Sequence, residues 1–143
     1  RRQKQVYQGV LRVLKSSITG ATAGKKIKQW VAEAHEMMNE ELVRLKLLSL
    51  KEVKNQKPNH PACRKYFMHG LGHSLGLDVH DVSNGQKKLV DGAVFTVEPG
   101  IYIPNEGIGI RLEDNIVISG NQPINLMKGT PLEANEIEER MNP

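Results

Sequence analysis

Three histidines and two aspartates fall within the fourteen residues Met68-His69-Gly70-Leu71-Gly72-His73-Ser74-Leu75-Gly76-Leu77-Asp78-Val79-His80-Asp81, the densest run of metal-binding groups in the chain. Two later segments, Val94-Phe95-Thr96-Val97-Glu98-Pro99-Gly100-Ile101-Tyr102 and Gly107-Ile108-Gly109-Ile110-Arg111-Leu112-Glu113-Asp114-Asn115, each set one glutamate inside an apolar, strand-like run. A carboxylate buried among apolar strands is costly unless a cation or hydrogen bonds compensate it, and imidazole plus carboxylate suits a first-row divalent metal. A metal site shared by the three segments is therefore the working expectation. The plainer alternative makes His69, His73 and His80 ordinary hydrogen-bonded side chains and puts both glutamates at strand ends.

His69 and His73 are four apart, the spacing that aligns two zinc ligands on a helix. The glutamate that should follow the first histidine is missing, and Gly70, Gly72 and Gly76 disfavour a regular helix. Those glycines point instead to a tight backbone beside a pocket. Gly20-Ala-Thr-Ala-Gly24-Lys25-Lys26 is not a phosphate loop: it has three residues between glycines where four are needed, and Lys26 where Ser or Thr should stand. Cys63 is the only cysteine, so no intrachain disulfide can form, and it reads as a buried thiol.

The elements that must position these groups are legible from periodicity. Val6, Val10, Val13, Leu14 and Ile18 recur as on one face of a helix over Gln5 to Ile18, with Thr22 a candidate cap for the next. Ile27, Val31, Ala34, Met38, Leu42 and Leu45 mark a second helix from about Ile27 to Leu47, and His35 lies beside that stripe. Lys51 to Ala62, with Pro58 and Pro61, reads as a surface connection. A turn is expected at Ser83-Asn84-Gly85-Gln86, a strand at Ala93 to Val97, and extended chain again at Ile101 to Ile103 after Pro99-Gly100. Ile108 to Ile118 reads as one long strand whose polar face carries Gly109, Arg111, Glu113 and Asn115, so Arg111 and Glu113 point the same way. Leu132 to Met141 reads as a short acidic final helix.

The 143 residues, 38% hydrophobic and 25% charged, suit one globular domain with a core of its own. No apolar run approaches the ~20 residues a membrane span needs. The net charge of +4 conceals a split: residues 1–68 carry 15 basic against 5 acidic groups, and residues 69–143 carry 5 against 11. The basic charges are scattered over helical faces without interleaved aromatics, so neither nucleic acid nor membrane is an expected partner. A single cysteine favours a reducing compartment, and the cytoplasm is the expected location.

Taken together, His69-Gly-Leu-Gly-His73-Ser-Leu-Gly-Leu-Asp-Val-His80-Asp, Thr96-Val-Glu98-Pro-Gly-Ile-Tyr102 and Gly109-Ile-Arg111-Leu-Glu113-Asp114 resemble the pita-bread metallopeptidases, peptidase family M24, in their aminopeptidase P and prolidase branch. The likeness runs on through the preceding helices and the ending Pro131-Leu-Glu-Ala-Asn-Glu-Ile-Glu-Glu. It implies an α+β fold, part of a pita-bread domain in which helices pack on a curved, mainly antiparallel sheet. It implies His73, Glu98 and Glu113 as ligands of two divalent ions, manganese before cobalt or zinc, with Glu113 bridging and Glu98 also serving as general base. His69 and His80 match pocket residues that assist catalysis, and Arg111 and Tyr102 match groups that hold the carboxylate ligands in place.

The implied reaction releases an N-terminal residue that precedes proline, by attack of a metal-bridging hydroxide on the scissile carbonyl. Prolidase, acting on Xaa-Pro dipeptides, and a non-catalytic peptide-binding module on the same fold remain alternatives. Asp78, Asp81 and Asp114 are expected to be structural. The family site also needs two aspartates from earlier strands, and no aspartate precedes Asp78. Residues 1–143 are accordingly expected to be the C-terminal part of one catalytic domain, its upstream strands missing, inactive when isolated, from a homo-oligomeric parent.

Overall fold

Val6, Val10, Val13 and Leu14 are all fully buried, and the stripe they form drives residues Arg2–Thr19 into a single helix, α1, longer at both ends than the expected one. The structure, a computed structural model, describes residues 1–82 and 85–142; the turn expected at Ser83-Asn84-Gly85-Gln86 begins outside the described residues. Helix α2 spans Ile27–Arg44 and lies against α1. Its N-cap is Lys26, which makes no side-chain cap bond, so Thr22 does not fill that role. It stops at Arg44 because Lys46 adopts a left-handed backbone, φ 60°, which closes the helix short of Leu47.

The segment expected to be a plain connection contains a short helix, α3 (Leu50–Lys54), started by a capping box. Ser49 accepts from the Glu52 N–H, and the Glu52 carboxylate accepts from the Ser49 N–H at 2.7 Å. A 3₁₀ turn follows at Ala62–Lys65 and buries Cys63, whose thiol pKa burial pushes up to about 12.

Among the described residues five strands follow: β1 (Val94–Val97), β2 (Gly100–Ile103), β3 (Ile108–Arg111), β4 (Asp114–Val117) and β5 (Ile124–Asn125). They form two antiparallel sheets, β1-β4-β5 and β2-β3. The long strand expected from Ile108 to Ile118 is thus two strands in different sheets. Pro99 has no N–H to donate, and it interrupts the β1–β2 arm between Val97 and Gly100. The opposite arm breaks in step at Leu112-Glu113, where the Leu112 N–H returns to the Pro99 carbonyl at 3.2 Å. The alternation survives the break. Phe95, Val97, Ile116 and Asp114 are buried, while Thr96 pairs with Asn115 and Val97 with Asp114, so Thr96, Glu98, Glu113 and Asn115 share the opposite face. The final helix, α4, is Ala134–Met141.

One core joins helices and sheets. Trp30 of α2 meets Phe95 of β1 edge to face, with centroids 6.2 Å apart, and donates its indole N–H to the Ser17 carbonyl of α1 at 2.8 Å. Between α1 and α2, Glu41 is buried and receives both arms of the Arg12 guanidinium at 2.7 and 2.6 Å, with Arg44 at 3.5 Å. The Glu41 hydrogen bonds raise the Arg12 pKa against the opposing effect of burial. Arg12→Ala would leave the buried carboxylate with only the longer Arg44 contact, and a loss of about 2–4 kcal/mol of unfolding free energy is expected in urea titration. Replacing both partners by leucine is expected to cost less.

Candidate active site

The histidine block is irregular, as its glycines foretold, but residues 71–75 lie antiparallel along the free edge of β1. The Glu98 N–H donates to the Leu71 carbonyl at 2.7 Å, Thr96 N–H to His73 at 2.9 Å, and Leu75 N–H to Val94 at 3.1 Å. Gly72 makes this approach possible, because a Cβ there would run into the Thr96 carbonyl oxygen. The result sets His73 beside Glu98, with Nε2 and Oε1 3.5 Å apart. His73 Nδ1 lies 2.9 Å from the Ser74 carbonyl, which can only accept, so Nδ1 is the donor there and Nε2 of the neutral ring presents a lone pair.

Glu113 enters through Arg111. One guanidinium nitrogen, Nη1, donates to Glu98 Oε2 at 2.5 Å and to Glu113 Oε2 at 2.6 Å. Burial opposes the Arg111 charge, and Glu113 and Glu98 together outweigh it, leaving the pKa raised. Arg111 therefore binds both carboxylates. Tyr102 holds neither. Its ring lies over Gly109, the residue paired with it across the β2–β3 hairpin, and its hydroxyl meets His69 Nε2 at 2.9 Å. His69 Nδ1 faces the Gly70 carbonyl at 2.8 Å, so Nε2 of the neutral ring accepts from the tyrosine.

His69 is further fixed edge-on to Phe67, centroids 4.9 Å apart, and Phe67 to His35 of α2 at 5.9 Å. His35, for which the sequence offered no partner, has its pKa lowered by burial and by Arg64. His80 is exposed, stands with its ring centroid 4.3 Å from that of His73, and makes no hydrogen bond among the described residues. Asp81 accepts from the Val82 N–H at 3.0 Å and Asp114 from the Asn125 side chain at 2.6 Å; neither orients a histidine.

Two polar side chains that sequence reasoning left without a role sit in the same place. Thr96 is buried and touches both His73 and Glu98. Asn115, its cross-strand partner, has a buried Oδ1 with no hydrogen-bond partner among the described residues. Two-residue alternation within β1 and β4 already placed them on the glutamates' face. The face thus gathers a lone-pair nitrogen, two carboxylates and an orphaned amide oxygen, all acceptors, around a demand for positive charge that Arg111 meets in part. In chemistry this donor set fits a hard or borderline divalent cation. In number it falls short, for among the described residues no three His, Cys, Asp or Glu side chains close on a single point.

The sequence profile of metallopeptidase family M24 matches residues 1–120. The chain is 39% identical to the Xaa-Pro aminopeptidase of Haemophilus influenzae over 158 residues, covering 98% of the chain and 35% of that protein. It is 35% identical to human Xaa-Pro aminopeptidase 3 over 150 residues, covering 96% and 29%. A zinc-substituted aminopeptidase P from Escherichia coli, solved in complex with product, superposes with a TM-score of 0.85 at 39% identity over 99% of this chain and 34% of that one. The chain thus spans about a third of the length of the relatives it matches. The α+β, pita-bread reading of the sequence holds, and the prolidase alternative gains no support.

Gly72→Ala is expected to lower stability by about 1–3 kcal/mol by forcing residues 71–75 off β1. Gly129→Ala, where no atom lies within 4 Å of the added Cβ, is expected to stay within about 0.5 kcal/mol. Denaturant titration of the two variants checks the contrast.

Proposed function

The chain belongs to metallopeptidase family M24, and on that premise we propose that residues 1–143 form part of the catalytic domain of a metal-dependent aminopeptidase that removes an N-terminal residue preceding proline. The observation that carries the reading is the convergence of His73, Glu98, Arg111 and Glu113 on one sheet face. His73 Nε2, Glu98 and Glu113 would hold the metal, two divalent ions with manganese favoured. When bound, such ions supply a Lewis acid for the scissile carbonyl and lower the pKa of the attacking water.

The protein's own groups then divide the remaining work. Arg111 keeps the two carboxylates apart and oriented, and Glu98, close to His73, is placed to take a proton from water. His69 has both ring nitrogens engaged, so it shapes the pocket wall and is a poor proton carrier. His80, unbonded among the described residues and lying over His73, is the group placed to polarise the carbonyl or pass a proton to the leaving amine. The exposed Leu77 and Val79 beside it offer apolar surface to a peptide substrate. A binding module without catalysis is the weaker reading, since it gives no reason to gather two carboxylates and an imidazole on one face.

The direct test is hydrolysis of Xaa-Pro-Xaa peptides against Xaa-Pro dipeptides, with and without Mn²⁺. Cleavage of the longer peptides by the complete catalytic domain, abolished by a chelator, is expected. His80→Ala is expected to cut kcat/KM by about 10²-fold or more with metal content unchanged; loss of metal would reassign His80 as a ligand. With three donors of its own, the 143-residue chain by itself is expected to turn over at least about 10³-fold more slowly than the longer relatives, as measured on the purified chain.

A further inference from the structure

We infer that Thr96 is a positioning residue: its hydroxyl, anchored on the His73 main chain, aims the Glu98 carboxylate at the His73 ring. The inference rests on the reading of His73 and Glu98 as metal ligands. Thr96 is 2% exposed. Its N–H donates to the His73 carbonyl at 2.9 Å, and the His73 N–H donates to Thr96 Oγ1 at 3.0 Å, so one residue satisfies both main-chain groups of the proposed ligand. With the hydroxyl oxygen accepting from that N–H, its own proton is free to be donated, and Glu98 Oε1 lies 3.3 Å away. A carboxylate only accepts, which sets the direction of the relay: His73 N–H to Thr96 hydroxyl to Glu98.

Glu98 therefore has a separate donor for each oxygen, Thr96 on Oε1 and Arg111 on Oε2 at 2.5 Å. The carboxylate cannot rotate without giving up both bonds, and the orientation they impose is the one that turns Oε1 toward His73 Nε2. Arg111 alone would not fix it, because the same nitrogen serves Glu113 and the side chain is 43% exposed. Threonine is well suited here, since its branched Cβ restricts χ1 and the hydroxyl arrives already aimed.

Calorimetric titration of the protein with Mn²⁺ tests this. Thr96→Val keeps the shape and removes the hydroxyl, and an affinity about 10- to 100-fold weaker is expected, with Thr96→Ser close to wild type. In a Glu98→Gln background the valine substitution is expected to add nothing further, a coupling that a merely structural role for Thr96 would not show. If Thr96→Val does not fold, Thr96→Ser against Thr96→Ala decides, since serine alone keeps the hydroxyl. Equal weakening in serine and alanine overturns the inference. So does Glu98-dependent Mn²⁺ binding that Thr96→Val leaves unchanged, which spares the metal reading. Mn²⁺ binding absent from wild type, or indifferent to Glu98→Gln, overturns that reading and this inference with it.

Discussion

The main-chain pairing of residues 71–75 with the edge of β1 decides where His73 stands relative to Glu98, the contact around which the candidate site is built. Three backbone hydrogen bonds, from Leu75, Thr96 and Glu98, fasten an otherwise irregular loop to a strand. That pairing puts a histidine from one part of the chain beside a glutamate from another. It tolerates no side chain at position 72, and it makes the loop's geometry a property of the sheet. Precision of this kind is what a site on a loop ordinarily lacks. Behind the sheet, Trp30 and Phe95 fix β1 to the helices, so the loop inherits the rigidity of the core.

Electrostatics completes what the backbone begins. Two carboxylates on one face repel each other unless something positive stands between them. Arg111 does so with a single nitrogen, and its raised pKa expresses the same attraction from the other side. A guanidinium also has donors to spare, which lets it hold two carboxylates without consuming all their lone pairs. Asn115 Oδ1, on the same face, has no donor of its own among the described residues.

Much of this was legible in the residues themselves. The two long helices followed from apolar stripes most of whose members are in fact buried, Val31, Ile18 and Ile27 only partly, and the glycines of the histidine block correctly argued against a helix there. The features that local pattern did not disclose depend on partners distant in sequence. The alternation from Ile108 to Ile118 is continuous, and only the neighbouring arm, interrupted by Pro99, reveals that it serves two sheets. Tyr102 was expected on a carboxylate; its hydroxyl reaches His69 because the hairpin register lays its ring across Gly109. The Ser49–Glu52 capping box is an exception, since its signal is local and stands in the sequence just ahead of the two prolines that suggested an unstructured connection.

The division of charge between the two halves of the chain also has a physical outcome. Arg2 meets Glu106, Lys4 meets Glu138 and Lys15 meets Glu133, so α1 is laced to the acidic half by pairs that span most of the sequence. Such exposed pairs contribute about 0–1 kcal/mol each and do little for equilibrium stability. Opposite net charge acts at longer range, speeding encounter in dilute salt and fading as ions screen it. Two peptides made by cutting this chain near residue 68 would thus find each other without a tether, quickly in low salt and slowly in high salt, which makes the fold a natural candidate for a split reporter whose reassembly is tuned by ionic strength.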